Sequence, residues 1–157
     1  MIPTRCDPST ARAREANILH VEDNAADSEL LRDSLADFPE LTVCSLPDGA
    51  EALHYLKHRA HSIAATRPDL ILLDFNLPGI DGRRILMELK KDPVLRVIPV
   101  VVLSGSALEE DMVLAYELGA NAYVVKPHEL KRFRAVMRAI CEFWCGAAAI
   151  PGRAAGY

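Results

Sequence analysis

Five short apolar runs recur along the chain: Ile18 to Val21, Leu41 to Leu46, Leu70 to Leu73, Val100 to Leu103 and Ala122 to Val125. They are rich in branched side chains, and several are continuous instead of alternating with polar positions, the pattern of parallel strands buried on both faces. The segments between them carry a helical period. Leu30, Leu31, Ser34, Leu35 and Phe38 follow the capping residues Asn24 and Asp27 and end before Pro39. Asp48-Gly49 opens a helix with Ala52, Leu53, Tyr55 and Leu56 inside, and Asp81 opens one with Ile85, Leu86 and Leu89 that stops at Pro93. Ser106 with Glu109 three residues on reads as a capping box for a fourth helix, which Gly119 ends, and Phe133, Val136, Met137 and Ile140 mark a fifth. The order is β-α five times over. Right-handed crossovers turn that order into an α/β fold with a doubly wound, five-stranded parallel sheet and helices on both faces. The connection from His58 to Arg67 shows no assignable period.

In such sheets functional groups gather at the carboxyl ends of the strands. Here the first strand delivers Glu22 and Asp23, the third Asp74, the fourth Ser104, and the fifth Lys126-Pro127. Phosphoryl transfer to a carboxylate needs a nucleophile, a divalent cation that gathers charge on the phosphoryl oxygens, and donors for the remaining oxygens. The cluster contains each part. Mg²⁺ takes oxygen ligands, commonly one or two carboxylates with phosphate oxygens and water, and Glu22, Asp23 and Asp74 supply them. Three crowded carboxylates would raise one another's pKa unless a cation or the Lys126 ammonium offset their charge, so a metal is expected.

Composition narrows the classes. A length of 157 residues suits one domain with a full core, expected over 17–144, with a flexible Pro- and Arg-containing leader over 1–16 and a small-residue extension over 145–157. A net charge of -4 argues against direct nucleic-acid binding, which needs clustered Lys and Arg. No stretch reads as a signal peptide or a membrane span. The cysteines, Cys6, Cys44, Cys141 and Cys145, lack CxxC spacing, which fits a reducing cytoplasm.

On these strand-end residues the sequence resembles the receiver domain of two-component response regulators, the CheY-like family. The resemblance implies a flavodoxin-like strand order of 2-1-3-4-5. It makes Glu22 and Asp23 the acidic pair that binds Mg²⁺, with Mn²⁺ able to substitute, and the backbone carbonyl of Asn76 a further ligand. Asp74 becomes the acceptor of phosphate from a sensor histidine kinase, Ser104 and Lys126 the hydroxyl and ammonium that complete the site, and Lys126-Pro127 a cis peptide. Tyr123 matches an aromatic switch that turns inward when the hydroxyl moves to the phosphoryl group. Asn76 and Ser106 line the route of the water that ends the phosphorylated state. Such a domain catalyses only its own phosphorylation and dephosphorylation and is no enzyme in the turnover sense. Glu142-Phe143-Trp144, the small-residue tail and Pro151 resemble the single-domain regulators paired with cyanobacterial and bacterial phytochromes, implying a bacteriophytochrome-type kinase and a homodimer anchored by Phe143, Trp144 and Ile150.

Each feature also has a plainer reading. Tyr123 can simply fill the core edge. His54, His58 and His61 stack along a helix face, but among Lys57 and Arg59 they read as a solvated face rather than a zinc site. Cys141 and Cys145 share a face, yet two thiols do not complete a tetrahedral site, so packing is the default. His20 reads as a buried histidine with a satisfied ring nitrogen. Phe143 and Trp144 either cap the protomer's own core or form an apolar patch for a partner. Two other functions compete: an Mg²⁺-dependent aspartyl-phosphate hydrolase and a flavodoxin-like binding protein. The first requires a second aspartate where Phe75-Asn76-Leu77 has none, and the second a Ser, Thr and Gly phosphate loop where Glu22-Asp23-Asn24 stands.

Overall fold

The computed structural model describes residues 15–60, 62 and 67–151. His61, nearly all of the leader and the last residues of the extension lie outside these. The elements are β1 (Ala16–Val21), α1 (Ala25–Ser34), β2 (Leu41–Leu46), α2 (Gly49–Ala60), β3 (Leu70–Asp74), α3 (Gly82–Lys91), β4 (Val100–Ser104), α4 (Glu109–Glu117), β5 (Ala122–Val125) and α5 (Leu130–Cys141), followed by a π-helical turn at Glu142–Ala147. All strand pairs are parallel, in the order β2-β1-β3-β4-β5.

The continuous apolar runs divide by strict alternation. Leu19, Val21, Ile71, Leu73, Val100 and Val102 pack with Ala52, Leu56, Ile85, Leu86, Leu89 and Ala115, so α2, α3 and α4 cover one face. Ile18, Leu70, Leu72, Val101 and Leu103 pack with Leu31, Phe133, Met137 and Cys141, so α1 and α5 cover the other. A strand read as apolar throughout thus serves two cores at once.

Helix starts follow the side chains expected at three places. Asn24 Oδ1 accepts from Ala26 N and Asp27 N, Asp48 Oδ1 from Ala50 N and Glu51 N, and Asp81 Oδ1 from Arg84 N. The capping box is a correction: α4 begins after Leu108 without a side-chain cap, because the Ser106 hydroxyl donates to Asp111 instead. Gly119 ends the fourth helix at φ 97°, as its position predicts. Gly82 answers a different need. A Cβ there would lie 2.1 Å from the Asp74 carbonyl oxygen, so only glycine lets α3 start against the end of β3.

Residues 142–151 fold back on the protomer. Trp144 and Cys145 pack against the core shared by α1 and α5, and Pro151 O accepts from Arg67 Nη2 at 3.0 Å. Phe143 meets Trp144 edge to face at 5.1 Å yet remains 54% exposed, and Ile150 is half-buried. No helix among the described residues is long and apolar enough to cross a membrane.

Candidate phosphoacceptor and metal site

Strand register brings the predicted residues together. Val21 lies opposite Leu73 and Asp74 opposite Leu103, so Glu22 and Asp74 leave neighbouring strands at the same level. Ser104 pairs with Val125, and Lys126 N donates to Ser104 O at 2.7 Å, which turns the Lys126 side chain back over the sheet edge. Carboxylate oxygens of Glu22, Asp23 and Asp74 all lie within 4.8 Å of one another, the one cluster of three such ligands among the described residues that could hold a metal ion. An oxygen-only donor set with two buried members fits a hard divalent cation such as Mg²⁺ or Mn²⁺. Glu22 is 2% and Asp74 6% exposed, while Asp23 faces solvent.

Lys126 Nζ donates to Glu22 Oε2, to Asp27 Oδ2 at 3.0 Å and to Asp74 Oδ2 at 3.2 Å. The other oxygens are also occupied: Asn24 N donates to Glu22 Oε1 at 3.0 Å and Asn76 N to Asp74 Oδ1 at 2.9 Å. Burial pushes the Glu22 carboxyl up to about 7, against the pull of Lys126 and of the Asn24 N–H. Burial works to lower the Lys126 ammonium, but Glu22, Asp74 and Asp27 outweigh it and hold the proton more tightly than usual. The ammonium therefore neutralises a carboxylate group that would otherwise repel itself. Asp27, Asp74, Asn76, Gly105 and Lys126 line an open cleft of about 450 Å³, wide enough for a phosphoryl donor to approach.

Asp27 was not singled out as a site residue, its side chain having been read as a cap. Its signal was periodicity: it stands one turn before buried Leu31, on the α1 face that meets the sheet. The Lys126-Pro127 peptide is trans, correcting the expectation of a cis bond. Trans is the intrinsically favoured X–Pro isomer, and here the Lys126 backbone N–H is already tied to Ser104. His20 is buried as expected, but one of its ring nitrogens lacks a partner among the described residues. Alternation turns it toward α1 and α5 beneath Lys126, and that nitrogen is Nδ1. Burial, with Lys126 nearby, lowers its pKa to about 4 and keeps it neutral. Cys141 is buried and its thiol is pushed up to about 12, which suits packing. His54 and His58 are exposed.

Beyond the carboxylates, Ser104 Oγ accepts from Ser106 N at 3.2 Å, and the Tyr123 hydroxyl donates to Ser106 O at 2.9 Å. Tyr123 is half-buried, with its ring edge to face with Phe75 at 6.2 Å. A 2-1-3-4-5 sheet carrying an acidic pair, a strand-end aspartate, a serine and a lysine at one edge defines a phosphoacceptor receiver of two-component signalling. The chain belongs to that family: the model of the response regulator receiver domain matches residues 18–138. It is 42% identical over 138 residues to response regulator Rcp1 of Synechocystis sp. PCC 6803, covering 85% of this chain and 92% of that protein. The phosphorylated cyanobacterial phytochrome response regulator RcpA superposes with a TM-score of 0.82 at 43% identity, over 88% of this chain and 99% of that one. The Mn²⁺-bound form of Rcp1 gives 0.80 at 39% identity, over 87% and 99%.

Proposed function

We propose that this receiver is a switch loaded at Asp74 by a sensor histidine kinase. The observation that carries the reading is the convergence of Glu22, Asp23 and Asp74 with Lys126 at the open end of β3. An Asp74 carboxylate oxygen attacks the phosphorus of a phosphohistidine; the N–P bond breaks, the imidazole leaves, and an aspartyl phosphate remains. Mg²⁺, held by Glu22, Asp23, Asp74 and the Asn76 carbonyl, would neutralise charge on the phosphoryl oxygens. Lys126 gives up its contact with Asp74 and donates to the new anion. The Ser104 hydroxyl, whose oxygen already accepts from Ser106, has its own proton free to donate to another phosphoryl oxygen. Output is a change of partner affinity as Ser104 and Tyr123 settle around the phosphoryl group, possible only because that group contacts one arrangement better than the other.

The likeness to a cyanobacterial phytochrome response regulator supports a phytochrome-type kinase as phosphodonor; that the receiver acts in the cytoplasm, as a homodimer and turning over nothing but its own phosphoryl group is part of the same proposal. Incubation with acetyl phosphate and Mg²⁺, followed by intact mass, tests the core of it. The wild type gains one phosphate and Asp74→Asn gains none; labelling of that variant would place the acceptor elsewhere.

A further inference from the structure

Five side chains form a closed ring around the loop between β4 and α4. Ser106 is its hub: the hydroxyl donates to Asp111 Oδ2 at 2.6 Å and accepts from Leu108 N at 3.3 Å, the carbonyl accepts from the Tyr123 hydroxyl, and the N–H donates to Ser104 Oγ. Asp111 Oδ1 accepts from Arg83 Nη2 at 3.0 Å, so one carboxylate ties the loop to α3. The Arg83 guanidinium in turn lies 4.9 Å over the ring of Phe75, the residue next to Asp74, and Phe75 closes the circuit against Tyr123. Ser104 and Tyr123, the groups that settle around the phosphoryl group in the reading above, both meet this ring at Ser106. Neither Arg83 nor Asp111 belongs to the carboxylate cluster.

We propose that Asp111, held by Arg83, is a positioning residue that sets how readily the site closes on a phosphoryl group; the inference rests on the phosphoacceptor reading above. Asp111 acts through Ser106. By fixing the hydroxyl it fixes the peptide groups on either side, so that the carbonyl faces Tyr123 and the N–H faces Ser104. Without that anchor the loop samples other arrangements, and a ligand's apparent affinity falls with the fraction of molecules in the competent one. The anchor needs both partners. Asp111 alone would be a mobile carboxylate in the first turn of α4, whereas the planar Arg83 fork, braced on Phe75, holds one oxygen in place and leaves the other for Ser106.

The test is binding of beryllofluoride, a phosphoryl mimic, to the full chain at saturating Mg²⁺, with thermal unfolding of each variant in parallel. Asp111→Asn, Ser106→Ala and Arg83→Met are each expected to weaken binding by about fivefold or more, the lower range of coupling between linked sites. The Arg83→Met/Asp111→Asn double variant is expected to be no weaker than the poorer single one, because both break the same link. A fluorine label on the Tyr123 ring should report a second ring environment in the variants before ligand is added. A purely structural tether of α4 predicts lower melting temperatures with wild-type affinity and one tyrosine environment, and that result overturns the inference while leaving the phosphoacceptor reading intact. Failure of the wild type to bind beryllofluoride overturns both.

Discussion

At the carboxyl edge of the sheet, β1, α1 and β3 send carboxylates to the single ammonium that follows β5, whereas at the amino edge the segment after Cys141 is held by Trp144 against the core shared by α1 and α5 and by a bond from Arg67 to Pro151. The first region is over-determined by register: moving β5 would break contacts with β1, α1 and β3 at once. The second is a local turn laid on a finished core. Changes at the carboxyl edge should therefore propagate, and changes at the amino edge should stay where they are made.

The largest effect is expected from Lys126→Met. It leaves Glu22 and Asp74 facing each other with no counter-charge, and removing one partner from a buried ion pair costs about 3 kcal/mol. Urea unfolding in EDTA should show that loss, and saturating Mg²⁺ should recover most of it. Equal stability with and without metal would mean that Lys126 is not the counter-ion of the cluster. Gly82→Ala comes next, at about 2 kcal/mol, because the new Cβ meets backbone at the end of β3 instead of a side chain that can yield. The same variant should lose Mg²⁺ affinity, since the displaced backbone carries Asp74. A stability loss with normal metal binding would show that the edge absorbs strain locally, against the contrast drawn here.

Why the two regions differed in legibility follows from the same contrast. Glu22, Asp74, Ser104 and Lys126 could be placed from sequence because each ends a strand, and in a parallel sheet strand ends converge whatever the loops do. Asp27 and Asp111 could not be placed so directly. Both sit one turn inside helices, where their roles depend on helix rotation against the sheet, and the nearer explanation in each case was a cap: Asp27 beside Asn24, and Glu109 three residues after Ser106. Ser106 reached past Glu109 to Asp111 because Arg83, from another element, had already oriented that carboxylate. The trans Lys126-Pro127 bond was missed for a different reason, since the cis expectation came from resemblance and not from any local feature of this chain.

The pH response separates two buried groups at the same edge. Glu22 has its pKa raised to about 7, so its contribution to metal-free stability is complete below its unfolded value of 4.5 and is lost as pH rises through about 7. His20 has its pKa lowered to about 4, so its contribution is present above 6.5 and is lost as pH falls through about 4. Between about pH 4.5 and 6.5 the two slopes oppose each other and metal-free stability should be nearly flat. His20→Asn should uncover a fall with rising pH; a rise would mean that the Glu22 shift has the wrong sign. Mg²⁺ competes for the ionised carboxylate, so its affinity should weaken by up to about tenfold from pH 7 to pH 6, one proton for each metal bound. Calorimetry in buffers of different ionisation heat counts that proton.

The smallest change in stability, and the sharpest use of the comparison, is expected in the tail. Phe143 and Trp144 touch each other but face different ways: Trp144 packs against the protomer's own core, while Phe143 is more than half exposed. An exposed aromatic contributes little to a lone protomer and is the kind of side chain that anchors an isologous contact. Phe143→Ser should therefore alter monomer stability by no more than about 0.5 kcal/mol while lowering the mass measured by light scattering from that of a dimer to that of a monomer. Trp144→Ser should do the reverse in kind: it destabilises the fold by opening a gap under the π-helical turn, and it disturbs association only as far as Phe143 is carried away with it. A monomeric mass for the wild type at tens of micromolar would leave Trp144 as a core residue of the lone protomer and Phe143 with no structural role at this edge.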